Sequence, residues 1–397
     1  MGVAGIKAGV SAACATVLLG LVGWGMAGCG YGSTSVVGCG LADTATPGPA
    51  LNPALQYEFL FVPNALCAPG VTNDVMSVLV INPDGTFANA PVPLVQTGNE
   101  PVWAVVDPTN HFVYVTNLAD NTVSAFTLNT TNGAMAVVPG SPFPAGTAPG
   151  AAAVDPSGKF LYVANDGSNN VSEFKINADG SLTSLGPPIA AGSEPQQGIA
   201  VTAGFVYVSN LGSNNVSAYS FDNTGRLTPL PSSPIPLAPA LNPQPESLVM
   251  DPAGKFLFTA NMTSNNVSAF TVNADGSLTQ APGSPFGAGF SSPQYLATDQ
   301  AGAFLYVVNV ANNGSLGSLT AYTIAGSGAL TQLGTALSTG NFPEGLAVDK
   351  ANKFLMVANF DDGTLSVYQI NNGSLTALGP LLSNAIIAGP QMVATTH

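Results

Sequence analysis

The chain has 397 residues, with 21 acidic side chains against 7 basic ones and a formal net charge of −14, a balance that repels nucleic acid and anionic membrane surfaces. Charged residues make up only 7% of it and hydrophobic ones 46%, which is too apolar for a disordered chain and leaves the surface to Ser, Thr, Asn, Gln and Gly. That is the composition of an extracytoplasmic all-β protein.

In chain order, Lys7 precedes an apolar run from Val10 to Met26, which ends in Met26-Ala27-Gly28-Cys29. An apolar segment of this length with a small-residue exit reads as a secretory signal rather than a membrane span. The four-residue string resembles a bacterial lipobox, with Met where Leu is usual, so residues 1–28 are expected to be a lipoprotein signal peptide and Cys29 the lipidated residue. Val36-Val37-Gly38-Cys39 is a second, less well placed string of this kind. Residues 29–53, rich in Gly, Ser, Thr and Pro, read as a flexible tether. With Cys14 leaving in the signal and Cys29 carrying lipid, Cys39 and Cys67 are expected to pair as a disulfide in an oxidising compartment.

Residues 54–397 are repetitive. An apolar segment ending in Asn recurs as FLFVPN, FVYVTN, FLYVAN, FVYVSN, FLFTAN, FLYVVN and FLMVAN, closing at Asn64, Asn117, Asn165, Asn210, Asn261, Asn309 and Asn359. Steps of about 45 to 53 residues suit one four-stranded blade per repeat. Turn chemistry marks the joints: Asp155-Pro156-Ser157-Gly158 is a corner with relatives at Asp107, Asp251, Asp299 and Asp349, and Asn177-Ala178-Asp179-Gly180 is a hairpin with relatives at Asn273 and Asn371. No sustained helical period interrupts them. The first repeat begins at its second strand, QYEFLFVPN, while the C-terminal AGPQMVATTH matches the first strand of other repeats. The expected fold is therefore an all-β, seven-bladed β-propeller of four-stranded blades, forming one domain closed by pairing of N- and C-terminal strands.

These FxYVxN strands, with their DPxGK and NxDGSLT turns, resemble the YVTN-repeat and lactonase-like seven-bladed propellers, the family that includes 6-phosphogluconolactonase and carboxymuconate-lactonising enzymes. The resemblance implies lactonase activity from His, Arg and Glu side chains gathered at the central channel. Here the cationic members are missing from the expected positions. Arg226 lies in the outer hairpin Asn223-Thr224-Gly225-Arg226, His111 fills a corner-turn column that holds Lys159, Lys255 and Lys353 elsewhere, and His397 is terminal.

What the sequence does bring to the channel mouth is acidic and amide-rich. The linker into each blade's innermost strand carries a proline, and the residues after it are Val102, Gly150, Gln196, Glu246, Gln294, Glu344 and Gln391, with Glu100 and Glu194 just before two of the prolines. Gln196, Gln294, Gln391, Glu100 and Glu194 are expected ligand-binding residues, and Glu246 and Glu344 are expected general bases if the protein is a hydrolase. No zinc ligand set, calcium frame, P-loop or dinucleotide fingerprint is present, so neither metal nor cofactor is expected. The first functional reading is an envelope-anchored module that binds a small polar ligand, an envelope protein or a polysaccharide. A hydrolase of an unphosphorylated lactone and a purely structural envelope protein are the alternatives. In all three, membrane contact runs only through the lipid.

Overall fold

The computed structural model describes residues 48, 50–51, 57–65, 74–237, 242–287, 291–310, 316–379 and 389–396. Cys29, Cys39, Cys67 and His397 fall outside these ranges, as do the signal peptide and nearly all of the tether. Two described positions of that tether touch the propeller: the Gly48 N–H donates to the Ala90 carbonyl at 3.1 Å, and Leu51 packs against the first core cluster.

Seven antiparallel sheets follow one another around an axis, and the described residues contain no helix. Blade 1 takes Glu58–Asn64, Val75–Ile81 and Phe87–Gln96 from the N-terminal side and its innermost strand, Ala394–Thr395, from the C-terminus. Blades 2 to 7 have innermost strands Pro101–Val106, Pro149–Val154, Ile199–Val201, Pro245–Met250, Pro293–Thr298 and Pro343–Val348. The terminal seam is hydrogen-bonded throughout: Gln391 N–H to Pro63 O at 3.0 Å, Phe59 N–H to Thr396 Oγ1 at 3.2 Å and Thr396 N–H to Phe59 O at 3.1 Å. Lys350 in blade 7 adds an N–H to the Glu58 carboxylate at 2.7 Å. The expected closure is therefore what the chain adopts.

The outer strand differs in detail from a plain fourth strand. In blades 2 to 5 it is split, so that two short pieces, such as Leu182–Ser184 and Ile189–Ala190, both pair with Asn170–Ile176. The break falls on Gly- and Pro-containing stretches such as Val138-Pro139-Gly140-Ser141-Pro142, where proline removes the ladder donor.

Apolar side chains are not pooled at one centre. They form seven layers, each drawing on two neighbouring blades, and the layer between blades 7 and 1 joins Leu60 and Val62 to Met356 and Ala358. Small residues let the blades approach: a Cβ on Gly225 would stand 2.3 Å from the Phe160 ring of the preceding blade, and its φ of +78° already excludes most side chains. The Gly225 carbonyl also accepts the buried Tyr162 hydroxyl at 2.9 Å.

Two outcomes test this architecture. Deleting residues 391–397 opens an apolar edge along Glu58–Asn64, so the truncated protein is expected to aggregate and melt well below the full chain in a thermal scan. Gly225→Ala is expected to lose about 2 kcal/mol or more in denaturant unfolding, from overpacking plus backbone strain.

Candidate functional site

The site is built from a device repeated at every linker. The residue before the linker proline has a left-handed backbone in all seven blades: Glu100, Ala148, Glu194, Gln244, Ser292, Phe342 and Gly389, with φ between +48° and +60°. Each carbonyl accepts an N–H from the residue after the column asparagine, as in Leu118 to Glu100 and Phe360 to Phe342. The N–H of five of them is held by the preceding blade, by Asp74, Asn121, Asn169, Asn214 or Asn265. Such strained conformations persist only where surroundings over-determine them, and they cluster at functional sites.

Directly after the proline, the ladder skips a residue. In blades 5 and 7, Pro245 pairs with Asn261 and Ser247 with Ala260, while Pro343 pairs with Asn359 and Gly345 with Ala358. Glu246 and Glu344 are therefore the extra residues of β-bulges, a feature that re-aims a side chain next to a site. Blades 2, 3 and 6 carry the same irregularity. Neighbouring blades then fix the carbonyls of these positions: Thr116 Oγ1 donates to Gly150 O at 2.7 Å, Ser209 Oγ to Glu246 O at 3.3 Å, and Ser247 Oγ to Gln294 O.

The resulting mouth is acidic and short of partners. Glu246 is only 8% exposed, and no hydrogen bond reaches its carboxylate among the described residues. Burial, then the charges of Asp166 and Glu194, push its pKa to about 7. Burial, then Glu246 and Asp361, push Glu344 to about 8. One oxygen of Glu344 is sealed from solvent without a hydrogen-bond partner. Tyr295 is held protonated well above its usual range, by burial first and then by the charges of Glu344 and Glu246, while the Gln197 amide acts the other way. Asp166 accepts Gln196 Nε2 at 3.1 Å and is itself raised, mainly by burial.

The sequence-predicted residues divide accordingly. Glu246 and Glu344 share this cluster, with Gln196 and the exposed Glu194 at its edge. Gln294 approaches Met262 Sδ at 3.7 Å, and Gln391 binds the seam through its backbone. Glu100 lies apart, raised by burial and by Asp74. Val102 and Gly150 occupy equivalent bulges with no polar group to offer. A Cβ on Gly150 would stand 2.1 Å from the Gln196 carbonyl, so that position serves blade packing. Asp166, Gln197, Tyr295 and Asp361 are the additions that sequence reading missed. Tyr295 and Gln197 each lie one step beyond a glutamine expected to bind ligand, and Asp166 and Asp361 lie one and two residues beyond a column asparagine.

The cations lie elsewhere. Arg226 reaches back to the buried Glu173 of the preceding blade, whose other oxygen accepts the Leu227 N–H at 2.5 Å. His111 is exposed and its Nδ1 contacts Thr109 Oγ1 at 2.8 Å within the corner turn. Among the described residues no group of three His, Cys, Asp or Glu stands ready to hold a metal ion. A groove of about 380 Å³ does open on the opposite face, lined by Asp155, Lys159, Phe160, Gly204 and Phe221, but Asp155 is committed to its own corner turn.

The family profile "Lactonase, 7-bladed beta-propeller" matches residues 78–287 and 281–391. The chain belongs to that family. Among solved structures, it is similar to a candidate 6-phosphogluconolactonase from Bacteroides fragilis, at 19% identity and a TM-score of 0.71, covering 86% of this chain and 98% of that one. It is also similar to the periplasmic gluconolactonase PpgL of Pseudomonas aeruginosa, at 18% identity and a TM-score of 0.71, covering 86% and 99%. At these identities the likeness shows the fold. No protein of curated function matches the sequence.

The carboxylate pair makes a pH prediction. Both folded-state pKa values stand above the ordinary 4.5, so the folded protein binds protons more tightly than the unfolded chain. The stability this confers is complete below about pH 4.5 and is lost as the pH rises through 7 to 8, at up to about 1.4 kcal/mol per pH unit for each group. A Glu246→Gln/Glu344→Gln double variant is expected to melt like the parent near pH 4.5 and higher than it near pH 8.5, as read by differential scanning fluorimetry. Glu58, also raised to about 7 by burial, leaves a smaller slope in the variant.

Proposed function

We propose that the protein hydrolyses a lactone bearing no anionic group, in the mouth of the propeller where the linkers enter. The observation that carries this reading is the bulged pair Glu246, buried, and Glu344, half-buried with one oxygen sealed from solvent, ionising in two steps near pH 7 and 8 within electrostatic reach of a protonated Tyr295. Near neutrality the pair offers one carboxylate and one carboxylic acid, and environments that separate two such groups assign a base and an acid. Glu246, the first to ionise, takes a proton from water as its oxygen attacks the lactone carbonyl. The developing oxyanion accepts a hydrogen bond from the Tyr295 hydroxyl. Collapse breaks the ring C–O bond, Glu344 delivers its proton to the departing oxygen, and a hydroxy acid leaves.

Placement of the cations supports the restriction on substrate. Arg226 is engaged with Glu173, and Lys159, Lys255 and Lys353 belong to corner turns on the opposite face, so a phosphate at the mouth would meet several carboxylates without any of these cations. Family membership supports the reaction class. The envelope location expected from residues 1–29 is part of the proposal: lipid on Cys29 would hold the propeller outside a bacterial membrane, and Cys29→Ala is expected to abolish acyl labelling and release the protein into the soluble fraction.

The test of activity is hydrolysis of unphosphorylated sugar and aromatic lactones above the spontaneous rate, followed by proton release. Glu246→Gln and Glu344→Gln are each expected to lower kcat/KM by about a hundredfold or more. The parent profile is expected to be bell-shaped, with limbs near pH 7 and 8. A parent that hydrolyses none of these substrates refutes the enzyme reading and leaves binding without turnover.

A further inference from the structure

The five buried side-chain N or O atoms without a hydrogen-bond partner among the described residues are unevenly distributed. Three of them, Asp166 Oδ1, Gln197 Oε1 and Glu344 Oε2, belong to the mouth cluster, and all three are acceptors. They come from blades 3, 4 and 7, so they approach from different directions. Glu246 of blade 5, which feels the charge of Asp166 and acts on Glu344, is more than nine-tenths buried and also without a hydrogen bond. Orphaned buried acceptors cost free energy, and buried carboxylates are ordinarily paired. Among the described residues nothing supplies the donors or the positive charge.

We propose that the ligand of this mouth carries a protonated primary amine. The inference deepens the reading of the mouth as the ligand site, and where that ligand is a substrate it makes it an amine-bearing lactone. An ammonium group brings one positive charge and three N–H donors. Its three separate donors can each meet an acceptor from a different blade, whereas the planar fork of a guanidinium suits a single coplanar carboxylate. A metal ion is the poorer occupant, because no three His, Cys, Asp or Glu among the described residues come close enough to ligate one. The titratable groups facing the pair are Asp166, Glu194, Asp361 and Tyr295, none of which becomes cationic, so the ammonium ion competes only with the protons the carboxylates take up.

Calorimetric titration with two lactams tests this without requiring turnover: aminomethyl-pyrrolidinone, whose amine is charged, and hydroxymethyl-pyrrolidinone, its uncharged isostere. At about pH 8 the full-length protein is expected to bind the amine about tenfold or more tightly than the alcohol, with proton release; near pH 5.5 the gap narrows as the carboxylates fill with protons. The Glu246→Gln/Glu344→Gln variant is expected to lose the preference while melting no lower than the parent. Equal binding of the two lactams by the parent overturns the inference, as does a preference that survives in the variant or tighter binding of calcium than of the amine. If the variant fails to fold, the parent's comparison of the two lactams decides alone. Lactone hydrolysis without amine preference sinks this inference and spares the hydrolase reading; amine preference without hydrolysis does the reverse.

Discussion

The buried asparagine that ends the second strand of each blade is the constraint on which the rest of the molecule depends. Removed from water, its amide must be satisfied inside the protein. Its Nδ2 reaches the third strand, as in Asn117 to Ser124 Oγ at 2.9 Å and Asn359 to Ser366 Oγ at 2.9 Å. In blades 2, 3, 4 and 7 its Oδ1 accepts the linker N–H three residues before the proline, from Gly98, Gly146, Gly192 or Gly340. One side chain thus ties the second strand, the third strand and the incoming linker together. The repeat of this residue is a structural demand of the blade and needs no ligand to explain it.

A linker held in this way sets the entry into the innermost strand. With its carbonyl held in every blade and its N–H in five, the residue before the proline accepts a left-handed backbone, and in blades 2, 3, 5, 6 and 7 the chain enters that strand through a bulge. In blades 2 and 3 the bulged residue is Val102 or Gly150, and the device does no more than pack neighbouring strands. In blades 5 and 7 it is a glutamate, and the same geometry buries a carboxylate. A scaffold interaction common to every blade therefore becomes chemistry in only some of them, according to one residue.

Closure of the ring matters to the site as well as to stability. Glu246 and Glu344 lie about 100 residues apart in the chain, and Asp166 and Asp361 still farther. The ring nonetheless brings them within electrostatic reach of one another, and its apolar layers continue through the seam of blades 7 and 1. The energy that holds like charges together is drawn from those layers, which is why the mouth can carry unpartnered acceptors in an otherwise well-satisfied protein.

Blade number, strand order, closure by the termini and corner and hairpin turns were all legible in the sequence. They depend on local rules, period-two apolar segments and Asp, Asn, Gly and Pro at turns, repeated often enough to be read together. The linker proline also pointed to Glu246 and Glu344, because the register after a proline entering a strand is a local matter. Tertiary structure alone decided which mouth residues meet. Glu100 and Glu194 occupy the same linker position, yet of the two only Glu194 acts on Glu246. Tyr295 and Asp166 join it from blades 6 and 3 through no shared motif. The raised pKa values belong to the same class, since desolvation and charge proximity are properties of a folded neighbourhood and leave no mark on residue order.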